Sequence, residues 1–588
     1  MPAELKISAG QYSDKGRKAS NQDFHGLIVP REPQLSSKGI AIALADGISS
    51  SQVSALASQA AVTGFLEDYF STSDTWSVKK SAQRVLFAIN SWLHAQTRQS
   101  EHRYDQDKGY VCTFSAMVIK AGTAYLFHLG DARIYRLRDG ALEQLTEDHR
   151  IRVSAEKSYL GRALGINPQL EIDYQSLAVE RGDVFLFATD GVYEHAKARF
   201  MAEVLGAACV VEPDTDAGLD AAARRIADEA YAQGSEDNLT VQIVRIDELP
   251  GQASGELVRQ LAELPFAPEL SPRMVFDGYR IVREVHASSR SHACLAIDEA
   301  TGEQVLIKTP ATDLRTDPEA LERFLMEEWI ARRIDSAHVL KAFPQTRRRN
   351  YLYIVTEFIE GRTLTQWMID HPKPDLESVR GIVAQIARGL QALHRLEMVH
   401  QDLRPENIMI DATGTAKIID FGSTRVAGLA ETAPHDAPDA ILGTEQYAAP
   451  EYFLGENGTS RADIFSLGVI TYQMLTGRLP YGAEVSRART SAAQRRLNYR
   501  SARDEDRAVL AWVDEAIRCA VHPDPYKRHA EVSEFVYDLH HPNQAFLNRN
   551  RAPLLVRNPA VFWKSVSIIL ALIVLALVAG RHLPGVIE

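Results

Sequence analysis

The sequence predicts a multidomain α+β protein, two folded regions of different strand and helix order followed by one C-terminal transmembrane helix. Three observations carry this expectation. A chain of 588 residues exceeds what one hydrophobic core holds. Short alternating apolar runs interleaved with Ala-rich helical stretches fill residues 1–246, whereas from Tyr279 strand-like runs come first and helical patterns follow to about residue 540. Near the end, V-S-I-I-L-A-L-I-V-L-A-L-V-A-G runs without charge from Val566 to Gly580.

Each region has its own signals. In residues 1–246 the runs I-A-I-A-L-A, F-S-A-M-V-I, A-Y-L-F-H-L and V-F-L-F-A-T read as buried strands, which with helices on their faces make a sandwich. Residues 247–277, rich in Pro, Gly and Glu, read as a linker with one short helix over Glu256–Glu263. Residues 278–540 place a small β-rich lobe before a larger helical one. A polar connector, 541–560, leads to the helix 561–583, in which Lys564 and Arg581 would snorkel and Phe562 and Trp563 would lie at headgroup level. Arg549, Arg551, Arg557 and Lys564 precede the apolar run and Arg581 follows it, so the large N-terminal portion is expected on the cytoplasmic side of the inner membrane. The N-terminal M-P-A-E-L-K-I-S-A-G has no apolar h-region, and no signal peptide is expected.

Composition narrows the classes. With 45% hydrophobic and 24% charged residues the chain is globular, not disordered. A formal charge of -12 argues against a nucleic-acid partner. Cys112, Cys209, Cys294 and Cys519 are scattered without a C-x-x-C pair, which excludes a cysteine zinc site and a disulfide framework and suggests a reducing compartment.

Carboxylates then recur at strand ends or turns: N-Q-D at Asp23, A-D-G at Asp46, G-D-A at Asp131, T-D-G at Asp190 and E-D-N at Asp237. A strand end fixes the carboxylate, and a following Gly lets a carbonyl or water come close. Oxygen ligands suit Mg²⁺ and Mn²⁺, and two such ions serve phosphate-ester hydrolysis. A single Asp-Gly is mostly a turn signal. The ordered set, with K-G-R-K-A-S-N-Q-D-F, H-L-G-D-A-R-I-Y-R-L-R-D-G and S-E-D-N-L-T-V, resembles the metal-dependent Ser/Thr protein phosphatases of the 2C class over residues 5–246. That resemblance implies a β-sandwich flanked by helices, with Asp46, Asp190 and Asp237 as ligands of two core ions, Mn²⁺ or Mg²⁺. It further implies a metal contact from the Gly47 carbonyl, a metal-bound water on Asp23 and a third, looser ion at Asp131. The family's phosphate-holding Arg falls on Lys18, with Arg17 adjacent. The chain departs from the family at Gln22, usually Glu, and at Ile48-Ser49-Ser50, usually Met-Gly-Gly.

The second region supplies the parts of phosphoryl transfer from ATP in order: Lys308 in V-L-I-K, Glu327 with Glu328 as a rival, Asp402 and Asn407 in H-Q-D-L-R-P-E-N, and Asp420 in D-F-G. With A-A-P-E at Glu451 and R-A-D-I-F-S-L-G at Asp463, the set resembles the eukaryotic-type Ser/Thr protein kinases across 279–540. The resemblance implies a bilobal fold, ATP held through Lys308 and Glu357, Mg²⁺ on Asn407 and Asp420, and Asp402 orienting the acceptor hydroxyl. Arg404 stands where a Lys is usual near the transferring phosphate, Arg528 where an Arg pairs with Glu451, and Thr444 where a Thr braces the catalytic Asp. Two departures are sharper. The glycines of the phosphate-covering loop become His286, Ser288 and Ser291, and H-R-D becomes H-Q-D at Gln401, which removes the cation that a phosphorylated activation segment would neutralise. Ser423, Thr424 and Thr432 are the modification candidates in that segment.

Two functions follow as expectations: a bifunctional phosphatase and kinase acting on phosphoproteins, or a phosphatase regulated by a pseudokinase that binds nucleotide. The intact Lys308, Glu327, Asp402, Asn407 and Asp420 favour the first, and the missing glycines favour the second.

Overall fold

The computed structural model describes residues 5–105, 108–152, 158–210, 216–250, 264–288, 290–311, 314, 317–344, 347, 349–431, 445–503, 509–543, 546–547 and 559–582. They fall into two compact units: the first comprises the described parts of 1–360, 392–401 and 419–442, the second those of 361–391, 402–418 and 443–588.

The N-terminal part of the first unit has twelve described strands, ten of them in a sandwich: β1 (Lys6–Asp14), β2 (Phe24–Ile28), β3 (Ile40–Ala45), β4 (Phe114–Lys120), β5 (Thr123–Leu129), β6 (Arg133–Arg138), β7 (Ala141–Gln144), β8 (Arg150–Arg152), β9 (Ser158–Leu160), β10 (Asp173–Ala178), β11 (Val184–Ala188) and β12 (Leu239–Glu248). One sheet has the order β1-β12-β11-β6-β7 and the other β10-β5-β4-β3-β2, both antiparallel, while β8 and β9 form a separate hairpin. The apolar runs noted in the sequence are strands with two buried faces. On β3, Ile40, Ile42 and Leu44 meet Phe185, Phe187, Val244 and Ile246 of the opposite sheet. The intervening Ala41, Ala43 and Ala45 pack on Phe65, Tyr69 and Leu86, from the helices α2 (Ser54–Ser71) and α3 (Val78–Gln99), which follow the short α1 (Gln34–Lys38). Likewise Val184, Leu186, Val241 and Ile243 face α5 (Ala198–Val210) and α6 (Asp216–Ala232), which follow the single turn α4 (Asp190–Tyr193). Period-two alternation thus serves two cores at once, giving four layers.

The same unit holds a five-stranded antiparallel sheet ordered β13 (Val275–Phe276), β14 (Tyr279–Ala287), β15 (Ser291–Asp298), β16 (Gln304–Pro310) and β17 (Ile354–Glu357), with the helix Pro318–Ala331. Here the linker expectation needs correction. Residues 264–276 are part of the folded lobe: Leu264 and Phe266 pack on Leu314, Phe324, Leu352 and Ile354. Ala267, Leu270 and Met274 pack beneath the sheet, and Val275–Phe276 is its edge strand. Prolines suggested a spacer, but the apolar side chains between them decide the outcome by burial. The expected helix Glu256–Glu263 lies outside the described residues.

The second unit carries a three-stranded sheet of Gly361–Thr363, Ile408–Asp411 and Ala416–Ile418. The helix Ser460–Thr476 is buried almost all round, and the helices Ala511–Ala520 and Val532–His540 pack on it. The expected β-rich lobe before a helical one is the order observed. The last helix, Pro559–His582, follows the C-terminal apolar run, and of its side chains those of 563–564 and 566–575 are described. Among the described residues no helix is long and apolar enough to cross a membrane.

Candidate functional site

Five carboxylates meet at one end of the sandwich. Asp46 ends β3, Asp23 precedes β2, Asp131 follows β5, Asp190 opens α4 directly after β11, and Asp237 precedes β12. Strand ends of both sheets therefore bring together residues more than 200 positions apart in sequence. The glycine after Asp190 serves packing: a Cβ on Gly191 would lie 2.2 Å from the Asn238 carbonyl and 3.0 Å from the Asp237 Cβ, so only glycine lets α4 approach the Asp237 turn.

Asp23 accepts hydrogen bonds at Oδ2 from Thr240 Oγ1 (2.7 Å) and Thr189 Oγ1 (3.1 Å), while its buried Oδ1 has no partner among the described residues. Burial, with the charge of Asp237 adding to it, pushes Asp23 up to about 6 against those two hydroxyls. Burial, then Asp131 and Asp237, pushes Asp190 up to about 7. Asp46 is driven well above the carboxylate range by burial and by Asp23, Asp190 and Asp131. Mutual repulsion in a partly buried, all-oxygen cluster with an orphaned carboxylate oxygen is what a pair of hard cations would relieve, so the donor set fits Mg²⁺ or Mn²⁺. Among the described residues, no three or more His, Cys, Asp and Glu side chains are closed into a ready-made metal cage.

Side-chain cations stand among these carboxylates instead. Arg150, which no motif pointed to, donates to Asp131 (2.6 Å), Asp190 (2.8 Å) and Glu194 (2.6 Å). Its only sequence signal was position, directly after Asp148 and His149. Lys18 contacts Asp237 at 2.8 Å and the Ser49 hydroxyl at 2.6 Å. Arg17, the adjacent candidate, is directed elsewhere, to the carbonyls of Ser235 and Tyr231 and over the Tyr231 ring. Of the two phosphate-holding candidates only Lys18 reaches the cluster. Gln22, the departure from the family, is buried, and its side-chain amide donates to the Ser51 carbonyl and the Ser54 hydroxyl, both at 2.7 Å. A carboxylate there would have no proton for the carbonyl.

In the small lobe, Lys308 lies on β16 between Ala293 and Ile354. Its ammonium group meets both oxygens of Glu327, at 2.7 and 2.6 Å. Glu328, the rival, is bound by Arg332 and Arg349, which decides the choice for Glu327. Burial pushes Glu327 up to about 7, with Lys308 pulling it down and Asp420 pushing it up. Burial alone would lower Lys308, but Glu327 and Asp420 outweigh it and hold it above its usual value. Gly422 gives its amide to Asp420 (3.0 Å), and a Cβ there would come to 3.2 Å of Glu327 Oε1. Where a glycine loop is usual, the Ser288 hydroxyl instead closes the β14–β15 turn, accepting from the Ser291 amide at 3.1 Å. Glu357 accepts from the Lys341 amide at 2.9 Å.

The second unit holds the other group. Asn407, in the 3₁₀ turn Pro405–Asn407, donates to the Asp402 carbonyl (2.9 Å) and carboxylate (3.3 Å), and Arg404 Nε lies 3.8 Å from that carboxylate. Glu451 and Arg528 form a buried two-pronged pair at 2.8 and 2.7 Å, as expected, and Asp463 is buried in the first turn of Ser460–Thr476. Thr432 and Thr444 lie outside the described residues.

Comparison with known proteins gives the same division. Residues 11–221 match the profile of the protein phosphatase 2C family, and residues 279–540 that of the protein kinase domain. The chain thus joins a protein phosphatase 2C domain to a protein kinase domain. Similar sequences include the serine/threonine-protein kinase PknA of Corynebacterium glutamicum, 31% identical over 261 residues, 44% of this chain and 54% of that protein. Another is the serine/threonine-protein kinase PrkC of Bacillus subtilis, 29% identical over 44% of this chain and 40% of that protein. The match therefore spans only about half the length of these curated relatives. Among solved structures, the serine/threonine phosphatase PstP/Ppp of Mycobacterium tuberculosis is 22% identical over 41% of this chain and 99% of its own (TM-score 0.34). The PknI kinase domain of the same organism is 22% identical over 47% of this chain and all of its own (TM-score 0.36).

Proposed function

We propose that the chain is a bifunctional enzyme, a Ser/Thr protein phosphatase and an ATP-dependent Ser/Thr protein kinase acting on phosphoproteins near a membrane. The observation that carries the phosphatase half is the partly buried carboxylate cluster around the buried Asp23, with its orphaned oxygen. Asp46, Asp190 and Asp237 would hold two Mn²⁺ or Mg²⁺ ions, with the Gly47 carbonyl, Asp23 and Asp131 completing the sphere directly or through water. When bound, these ions supply Lewis-acid charge for attack of water on phosphoserine or phosphothreonine. The chain's own part is orientation. Thr189 and Thr240 fix Asp23, and Lys18 stands beside Asp237 as a point charge for a phosphate oxygen. Phosphate release from a phosphothreonine peptide should require added Mn²⁺ or Mg²⁺, and full activity in excess EDTA would contradict the assignment.

For the kinase half, the closed Lys308–Glu327 pair carries the reading. Lys308 would bind the α- and β-phosphates of ATP, with Glu357 at the nucleotide. Asp420 and Asn407 would take Mg²⁺, Asp402 would orient the acceptor hydroxyl, and Arg404 would offset charge at the transferred phosphoryl. The side chains at His286 and Ser288 favour a second reading, a nucleotide-binding pseudokinase. ATP binding without transfer in a phosphatase-inactive chain would establish that one.

Membrane attachment rests on the helix Pro559–His582, whose side chains Ile568, Ile569, Leu570, Leu572, Ile573, Val574 and Leu575 are all exposed, and on the basic residues before it. The full chain should sediment with inner membranes and resist carbonate extraction, and a chain ended at residue 541 should not. Equal solubility of the two would remove the membrane from the proposal.

A further inference from the structure

Lys120, the last residue of β4, is a buried charge outside both catalytic clusters, its side chain 1% exposed. The hydrogen bonds of its ammonium group go to the kinase region, to the Gly428 carbonyl and to Glu431 at 3.1 Å. Glu431 in turn sits at the N-terminus of α3, where the Val78 amide donates to both its oxygens at 2.9 and 3.2 Å. An anion there is favoured by the free amides of the first helical turn.

The loop before α3 extends this contact. The Gly428 amide donates to the Thr75 carbonyl at 3.0 Å, and a Cβ on Gly428 would lie 2.7 to 2.9 Å from the carbonyls of Asp74, Thr75 and Trp76. Ser77, which caps α3, gives both its amide (2.7 Å) and its hydroxyl (2.8 Å) to Glu397. Arg333, two residues beyond the helix that carries Glu327, grips Asp74 at 2.9 Å. Buried Lys38 braces the loop from inside the sandwich through Thr72 and the Ser73 carbonyl. One surface of the phosphatase domain thus holds both the segment that follows Asp420-Phe-Gly and the end of the Glu327 helix, while the Lys308–Glu327 pair is closed.

We propose that the phosphatase domain is the built-in activator of the kinase, Lys120 and the α3 N-terminus reading Glu431 in the activation segment as an arginine reads a phosphorylated residue in other kinases. The proposal rests on the kinase reading of the Lys308 and Asp402 residues. In regulated kinases, a phosphate on the activation segment orders it through arginine contacts. Here Gln401 replaces the arginine beside the catalytic Asp, and a carboxylate that needs no modification meets a lysine supplied by the neighbouring domain. The contact needs no phosphate, so the kinase is competent when the two domains are docked and loses that competence when they part.

The test uses full-length chains carrying Glu431→Gln, Asp74→Arg, or Asp74→Arg combined with Arg333→Asp. Transfer from ATP to a generic protein acceptor is measured with Asp190→Asn added to silence dephosphorylation, and amide exchange at Val78 and Gly428 is followed by mass spectrometry. Glu431→Gln and Asp74→Arg should each lower transfer about tenfold and speed exchange at both amides, a size usual for coupling between sites. The double charge reversal should recover both. Hydrolysis of a small phosphate ester by the same variants with Asp190 intact should not change. Unaltered exchange in Glu431→Gln would overturn the docking, and unaltered or faster transfer would overturn its activating role. No transfer in any chain, with wild-type protection at Gly428, would instead refute the kinase reading on which the proposal stands.

Discussion

Thr240 and His128 show how single side chains set a ligand site and the pH dependence of stability. The Thr240 hydroxyl fixes one Asp23 oxygen at 2.7 Å and leaves the other for a ligand. Removing it with Thr240→Val should weaken Mn²⁺ binding roughly 10–100-fold, the usual cost of losing such a supporting hydrogen bond, as read by metal titration of phosphatase activity. His128 is buried between the Ser115 hydroxyl and the Glu147 carbonyl, and burial, then His149, lowers it from 6.5 to about 4. The unfolded chain binds this proton more readily, so the stabilisation is complete above pH 6.5 and is lost as pH falls through 4. The loss is about 3 kcal/mol. His128→Gln should flatten the dependence of unfolding free energy on pH between 6.5 and 4. At this scale the inner carboxylates were legible because Asp46 and Asp190 close apolar runs and Asp237 stands just before one, in a fixed order. Arg150 was not, because its partners at 131, 190 and 194 become neighbours only when the strand ends converge.

Among the elements, the strands were read where both faces are buried, since β3, β4, β5 and β11 are buried along their whole length and mostly apolar. The same logic misjudged residues 264–276. Phe266, Leu270 and Met274 stand at a helical spacing of four, but the prolines between them rule out a helix and suggested a spacer. Their burial against β14–β17 makes them part of the kinase domain. Phe266→Ala should destabilise that domain by about 2 kcal/mol, less than for a fully buried Phe because the ring is only half-buried. A kinase domain begun at residue 278 should melt below one begun at 264, as calorimetry would show. The order of the kinase elements was legible from motif spacing. The use of Ser288 to close its own turn, which accounts for a serine where glycine is usual, needed the backbone geometry.

For the whole molecule, the division into a phosphatase and a kinase could be read from two ordered residue sets, but the tie between them could not. Lys120 and Glu431 are 311 positions apart, and neither belongs to a motif. On the proposed reading two opposing activities share one chain, so the intact protein should remain nearly unmodified in ATP and Mn²⁺. The most direct test is mass spectrometry of the Asp190→Asn chain, with and without Lys308→Ala, after incubation with ATP, Mg²⁺ and a generic protein acceptor. Phosphoserine and phosphothreonine on the acceptor and on the chain itself, absent when Lys308 is also replaced, are the predicted result. Acceptor and chain both free of phosphate in the Asp190→Asn protein, despite bound ATP, would contradict the bifunctional account.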